Sequence, residues 1–189
     1  MQSRNFIRSI YRFEAKKALN KEDRKKDVLD LGESTKFNID DEWYRKFGNK
    51  YAKEETTKNS RLVFQFDWQR FLWAFVLGIH AGERTKLVKR TENPPFGIEV
   101  FKNRNRILKL MIGLTLQELY SKNPEQLKTD FEEAERVGEN LGKKILVAIE
   151  EYANTGFRIL DRRNREKPGY IESIEDVVAD ILSDRTWSW

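Results

Sequence analysis

Residues 150–160 read Glu-Glu-Tyr-Ala-Asn-Thr-Gly-Phe-Arg-Ile-Leu, EEYANTGFRIL, inside a stretch otherwise built of good helix formers. Ala153-Asn154-Thr155-Gly156 is poor helix material, because Asn and Thr are weak helix formers and glycine carries the largest backbone entropy. Whether a helix passes through this point decides the fold. Upstream, Phe131, Ala134, Val137, Leu141, Ile145, Ala148, Ile149 and Tyr152 hold one helical face. The next positions on that face are Gly156, then Ile159 and Leu160. The register survives the weak residues. It predicts a continuous helix, with Ala153 and Gly156 as small residues where another element passes close to the backbone. Glycine there costs about 1 kcal/mol relative to alanine, which close packing can offset. The alternative is a helix end, with Asn154 or Gly156 as C-cap.

The element that passes close has to be apolar. The clearest candidate starts at Asp67, a good N-cap, and carries Trp68, Phe71, Leu72, Phe75 and Ile79 at helical spacing. Trp73, Ala74, Val76 and Leu77 fill its other faces, so it is expected to be central and buried on most sides. His80-Ala81-Gly82 ends it, with Gly82 as C-cap. Before it, RLVFQF (61–66) reads as a short strand or an extended lead-in. After it, TENPPFG (91–97) is a loop, since no helix interior accepts a double proline.

A second helix is expected over 99–120, with Phe101, Leu108, Met111, Ile112, Thr115 and Leu119 inward, and SKNPEQ (121–126) breaks it. Thr129 with Glu132 forms a capping-box pattern that opens a third helical region, 129–162, which Gly138 and Gly142 bend or divide. EKPG (166–169) ends that region. Ser173 with Asp176 caps a last helix, 173–184, with Ile174, Val177, Val178, Ile181 and Leu182 as its stripe. The fold class expected is mainly α: a single helical core domain, 61–189, around a buried central helix, with a charged N-terminal extension, 1–60.

The 189 residues suffice for one core without covalent staples. Hydrophobic residues make up 39% and charged residues 35%, so the surface is densely charged. There is no cysteine, which excludes a disulfide framework and thiolate metal sites and suits a reducing cytoplasm. MQSRNFIRSIYRFEAKK (1–17) lacks the apolar run of a signal peptide, and no window approaches a membrane span. A cytoplasmic protein is expected. The net charge of +5 permits nucleic-acid binding without requiring it.

Two blocks, FLWAFVLGIHAGERTKL (71–87) and EEYANTGFRIL (150–160), with KNRNRILKLMIGL (102–114) between them, resemble one family in order and spacing. It is the Dnd system-associated, or DNA phosphorothioation-associated protein 4, family of small prokaryotic defence proteins. The likeness covers 61–162. Glu151, Tyr152, Ala153, Asn154 and Gly156 match its Glu-Tyr-Ala-Asn-x-Gly motif, for which packing is the expected role. The resemblance implies an intracellular role in defence against foreign DNA, alongside a larger protein of the same system, and assigns no catalytic residue.

Catalytic signals are weak. The single histidine, His80, sits where a cationic side chain suits a helix C-terminus. No phosphate-binding loop, dinucleotide fingerprint or serine elbow is present. Glu132, Glu133 and Glu135, or Glu150 and Glu151 with Asp161, offer carboxylates for Mg²⁺, although acids opposite an apolar stripe are normally solvated. No metal and no cofactor are expected.

Basic clusters are the better lead. Arg4, Arg8, Arg12 and Lys16 recur every four residues and make one cationic stripe if 3–19 is helical. Lys102, Arg106 and Lys109 share a face of the second helix, and Arg162, Arg163, Arg165 and Lys167 cluster before the turn at Pro168-Gly169. Such patches fit sequence-independent phosphate contacts. The favoured function is a non-catalytic accessory component of an anti-phage or DNA-modification system, binding DNA or a larger DNA-processing partner. The alternatives are a metal-dependent nuclease or nucleic-acid-processing effector, and a purely protein-binding regulatory subunit.

Overall fold

The computed structural model describes residues 31, 35–48, 66–92, 94–137, 141–170, 175–176 and 178–179; for 102–105 and 135 it describes the backbone only. The fold is mainly α, with one small sheet. In chain order the elements are β1 (Lys36–Phe37), α1 (Asp41–Trp43) running into a π-helical turn (Tyr44–Gly48), α2 (Asp67–Ala81), β2 (Phe96–Gly97), a 3₁₀ stretch (Ile98–Arg104), α3 (Asn105–Tyr120), α4 (Pro124–Val137) and α5 (Leu141–Glu166).

Helix α5 runs unbroken through the doubtful stretch, and Ala153, Asn154, Thr155 and Gly156 are all buried within it. Its main packing partner is α2. A Cβ placed on Gly156 would fall well under 3.0 Å from the Ala74 carbonyl, and one placed on Gly78 would fall as close to the Tyr152 carbonyl oxygen. The pairs 74/156 and 78/152 are each four residues apart and run in opposite directions. The two helices therefore cross antiparallel, each giving a glycine to the other's backbone. The small residues in EEYANTGFRIL are there because α2 lies against them. Phe75 packs edge-on to Tyr152, with centroids 6.4 Å apart, beside the same crossing.

α2 is buried at Phe71, Ala74, Phe75, Leu77, Gly78 and Ile79, with Trp68, Leu72, Trp73 and Val76 partly so. Gly82 caps it in the left-handed conformation, φ 65°, as its sequence position predicts. Its start differs by one residue. Phe66 is the N-cap position, and its N–H donates to Gln69 Oε1 at 3.0 Å. Asp67 opens the helix proper and binds Arg70 Nη1 at 2.7 Å.

Three further expectations change. The second helix begins at Asn105, and Phe101 and Lys102 lie in the preceding 3₁₀ stretch. The third region is divided, as expected near Gly138 and Gly142, and what changes is its start. Thr129 lies inside α4, where its hydroxyl donates to the Glu125 carbonyl, so it caps nothing. The helix instead opens on Pro124, whose missing N–H costs nothing in a first turn. The "loop" 91–97 ends in β2, where Phe96 pairs antiparallel with Phe37 of β1. Phe37, Phe71, Phe96 and Phe101 form one aromatic cluster, with neighbouring centroids 5.2–6.2 Å apart. Each such pair contributes about 0.5–1.5 kcal/mol beyond its area.

Phe37, Ile39, Trp43 and Phe47 belong to the same core as α2 and α5. At the other end, Asp130 of α4 accepts from Tyr120 of α3, Gln126 and Lys144 of α5, which ties three helices together. Beyond α5, Gly169 turns the chain with φ 86°, and Lys167 bridges to Asp176 at 2.6 Å. Residues 175–176 and 178–179 are helical. The rest of the expected last helix, RLVFQ (61–65), Gly138 and residues 1–30 lie outside the described residues.

Candidate functional site

Beside its apolar stripe α5 carries a polar one. Glu150, Asn154 and Asp161 stand at i, i+4 and i+11, with Glu151, Thr155 and Arg158 alongside. Glu150, Asn154, Thr155 and Asp161 are buried. Buried polar groups need partners, and two segments, 38–47 and 84–91, supply them.

The 84–91 segment lies along this stripe. Asn154 Nδ2 donates to the carbonyls of Thr85 and Lys86, at 3.2 and 3.0 Å. The Thr85 N–H donates to the Glu151 carbonyl, and its hydroxyl meets Thr155 at 2.9 Å and Arg158 at 3.3 Å. Arg90 pairs with Glu150 at 2.8 Å, and Arg84 with Glu151 at 3.6 Å. The 38–47 segment runs beside it. Asp40 and Arg90 form an antiparallel bridge, and Asp40 accepts the Val88 N–H at 2.7 Å. This segment also reaches α5 directly. The Asn38 N–H donates to Glu150, Trp43 Nε1 to Asn154 Oδ1 at 2.6 Å, Lys46 pairs with Asp161, and Phe47 stacks on Phe157. Asn154 thus holds three strangers in sequence at once.

Burial raises the Glu150 pKa above the usual carboxylate range, against the opposing pull of the Asn38 N–H and of Arg90. The effect on Asp130 is opposite. Burial pushes it up, but Lys144, Gln126 and Tyr120 together outweigh that and hold it at about 2.

The acids proposed for metal chemistry are engaged otherwise. Glu150, Glu151 and Asp161 each pair with a cation of this chain, Asp161 with both Lys46 and Arg165. Glu132 and Glu133 lie exposed on α4, paired with Lys128 and Arg136. Glu135 lies on α4, with its side chain outside the described residues. Among the described residues no three His, Asp or Glu side chains are gathered to hold a metal ion.

The expected basic residues fall in three places. Arg4, Arg8, Arg12 and Lys16 lie outside the described residues. Lys102 is in the 3₁₀ stretch, and Arg106 and Lys109 are exposed on α3. Arg162, Arg163 and Arg165 are exposed at the end of α5, where Arg163 pairs with Glu166 and Arg165 with Asp161. Of the motif, Tyr152 and Gly156 meet α2 at the crossing and Ala153 is buried in the core, whereas Asn154 and Glu151 face the clamp. The partners Asn38, Trp43, Thr85 and Arg90 are not among the expected site residues. Their one visible signal is the second, polar stripe of α5, whose spacing asks for a covering segment.

No helix among the described residues is long and apolar enough to cross a membrane. No curated protein and no solved structure is significantly similar to this chain. A family model does match, that of DNA sulphur modification system-associated protein 4, over residues 51–186. The match extends beyond both ends of the resemblance read from the two sequence blocks.

Proposed function

Because the chain belongs to the DNA sulphur modification system-associated protein 4 family, we propose that it serves such a system as a non-catalytic accessory component in prokaryotic defence. It binds DNA or a larger DNA-processing protein of the same system. Its mechanism is positioning: cationic helix and loop faces hold phosphates, and the helical core keeps them in place. The observation that supports this reading is the state of the acids. Glu150, Glu151 and Asp161, the carboxylates through which a metal nuclease would work, are each committed to a cation of the same chain. A carboxylate so paired has little charge left for Mg²⁺, which needs oxygen ligands in near-octahedral array.

The test is incubation of the protein with plasmid in Mg²⁺ or Mn²⁺, read both for cleavage and for gel retardation. Retardation that weakens with salt, without cleavage, is expected. Metal-dependent cleavage that disappears in Asp161→Asn would replace this reading with the nuclease one. Neither retardation nor cleavage at about 50 mM salt, where phosphate binding is strong, leaves the accessory role to a protein partner.

A further inference from the structure

Resting on that accessory reading, we infer that the layer formed by residues 84–90, Arg45, Lys46 and the C-terminal half of α5 is a docking surface for the phosphate backbone of duplex DNA. The argument is the vertical arrangement of its charges. Arg90 is 51% exposed over Glu150 at 1%, Arg165 is 72% exposed over Asp161 at 7%, and Lys89 is 62% exposed over Asp41 at 20%. Lys46 over Asp161, Arg84 over Glu151 and Arg45 over Asp41 repeat the pattern. The acids lie beneath and the cations face solvent. Nearly balanced composition thus produces a cationic exterior at this place.

The carboxylates beneath also prepare the cations. An arginine has five N–H donors, and one contact to a carboxylate leaves the others free for a phosphate. The anchored guanidinium loses less freedom on binding than an unanchored one, which favours association. The loop that carries Arg84, Lys86, Lys89 and Arg90 is itself fixed by Asn154, Thr155 and Asp40. From Glu150 to Asp161 the layer extends about 17 Å along α5, which matches the axial rise of roughly five base pairs of a duplex. Val88, 92% exposed between Lys86 and Lys89, offers an apolar contact at the loop crest for the sugar edge of a groove.

The experiment is fluorescence anisotropy of a short labelled duplex with the full chain, from about 50 to about 200 mM salt. The variants are Lys86→Gln with Lys89→Gln, Lys86→Gln alone, and, as a control at exposed lysines away from this layer, Lys122→Gln with Lys128→Gln. Lys86 and Lys89 are exposed, so thermal melts are expected to match wild type; Lys86→Gln alone answers the question if the double variant melts early. The loop pair should flatten the slope of log affinity against log salt by about 1.8, the single by about 0.9, and the control pair should leave it unchanged. Wild-type binding that the loop variants do not alter overturns this surface and leaves DNA binding standing elsewhere. Absence of binding by wild type overturns it too, and leaves the accessory reading to a protein partner, which the cleavage assay judges separately.

Discussion

Helix α5 is gripped on two sides by opposite means. Against α2 the contact is backbone to backbone through Gly78 and Gly156, surrounded by Phe75, Tyr152 and other apolar side chains. Against 38–47 and 84–91 it is mostly hydrogen bonds and ion pairs, centred on Asn154 and Glu150. The two sides fail differently. The crossing tolerates no added atom, because the neighbour at each glycine is a backbone carbonyl that cannot rotate away. The clamp tolerates a change of shape but not the loss of a partner, because a buried donor left alone costs its full desolvation.

The largest effect is expected at the crossing. Phe75 is fully buried, and Phe75→Ala should destabilise the protein by roughly 3–5 kcal/mol in denaturant unfolding. A loss below about 1 kcal/mol would show that α2 is not the main support of α5. Next comes Gly156→Ala, a single methyl group. On an ordinary helix this change stabilises by up to about 1 kcal/mol. Here the added Cβ has no room beside Ala74, so the sign should reverse, with a cost of about 3 kcal/mol at the upper end of overpacking. Gly156→Leu should cost more. Gly78→Ala should behave alike, and the double variant should cost less than the sum, since one separation of the helices relieves both clashes. Strict additivity would mean that the two contacts are independent.

The sequence showed these two sides unequally. The crossing was readable because period 3.6 is a local property: Tyr152, Gly156 and Leu160 keep the register of Ile145 and Ile149 whatever lies opposite. Even so, Gly78 as the reciprocal glycine was not, since nothing in FLWAFVLGIHAG distinguishes a contact glycine from a neutral one. The clamp depends on pairs such as Trp43 with Asn154 and Asn38 with Glu150, 111 and 112 residues apart. No periodicity links them. Abundant acids at 150–161 suggested metal ligands because carboxylates look alike until their partners are known. The end of α3 was legible through its proline, whereas the start of α4 was misplaced because Thr129 and Glu132 mimic a capping pattern inside a helix that already opens on Pro124.

The clamp should yield to the removal of a partner. Asn154→Ala leaves the Trp43 indole N–H and two loop carbonyls without their bonds. The expected loss is about 1–3 kcal/mol. It should appear as faster amide exchange in 84–91, with α2 still protected. Uniform loss of protection across α2 and the loop would mean that the clamp and the crossing are one cooperative unit, and the contrast between them would fall.

The smallest effect separates the two sides by pH, since only the clamp contains a carboxylate at its centre. Burial raises the Glu150 pKa in the folded chain above its ordinary value. The folded state therefore holds that proton more tightly than the unfolded one. Its contribution to stability is fully present below the ordinary carboxylate pKa and is lost as pH rises through the folded value. Relative to Glu150→Gln, wild type should thus lose stability as pH rises above the ordinary carboxylate pKa. Asp130 provides the opposite sign within the same molecule. Its pKa is held down at about 2, so its contribution is present above the ordinary value and lost as pH falls through about 2. Relative to Asp130→Asn, wild type should lose about 1 kcal/mol on acidification, a partly solvated pair being worth no more. Thermal melts of wild type and both variants from about pH 2 to neutrality decide the matter. Phe75→Ala should shift every melt by the same amount at each pH. If the stability difference between wild type and Glu150→Gln instead rises with pH, Glu150 is better held as an anion than as an acid, and Arg90 dominates its burial.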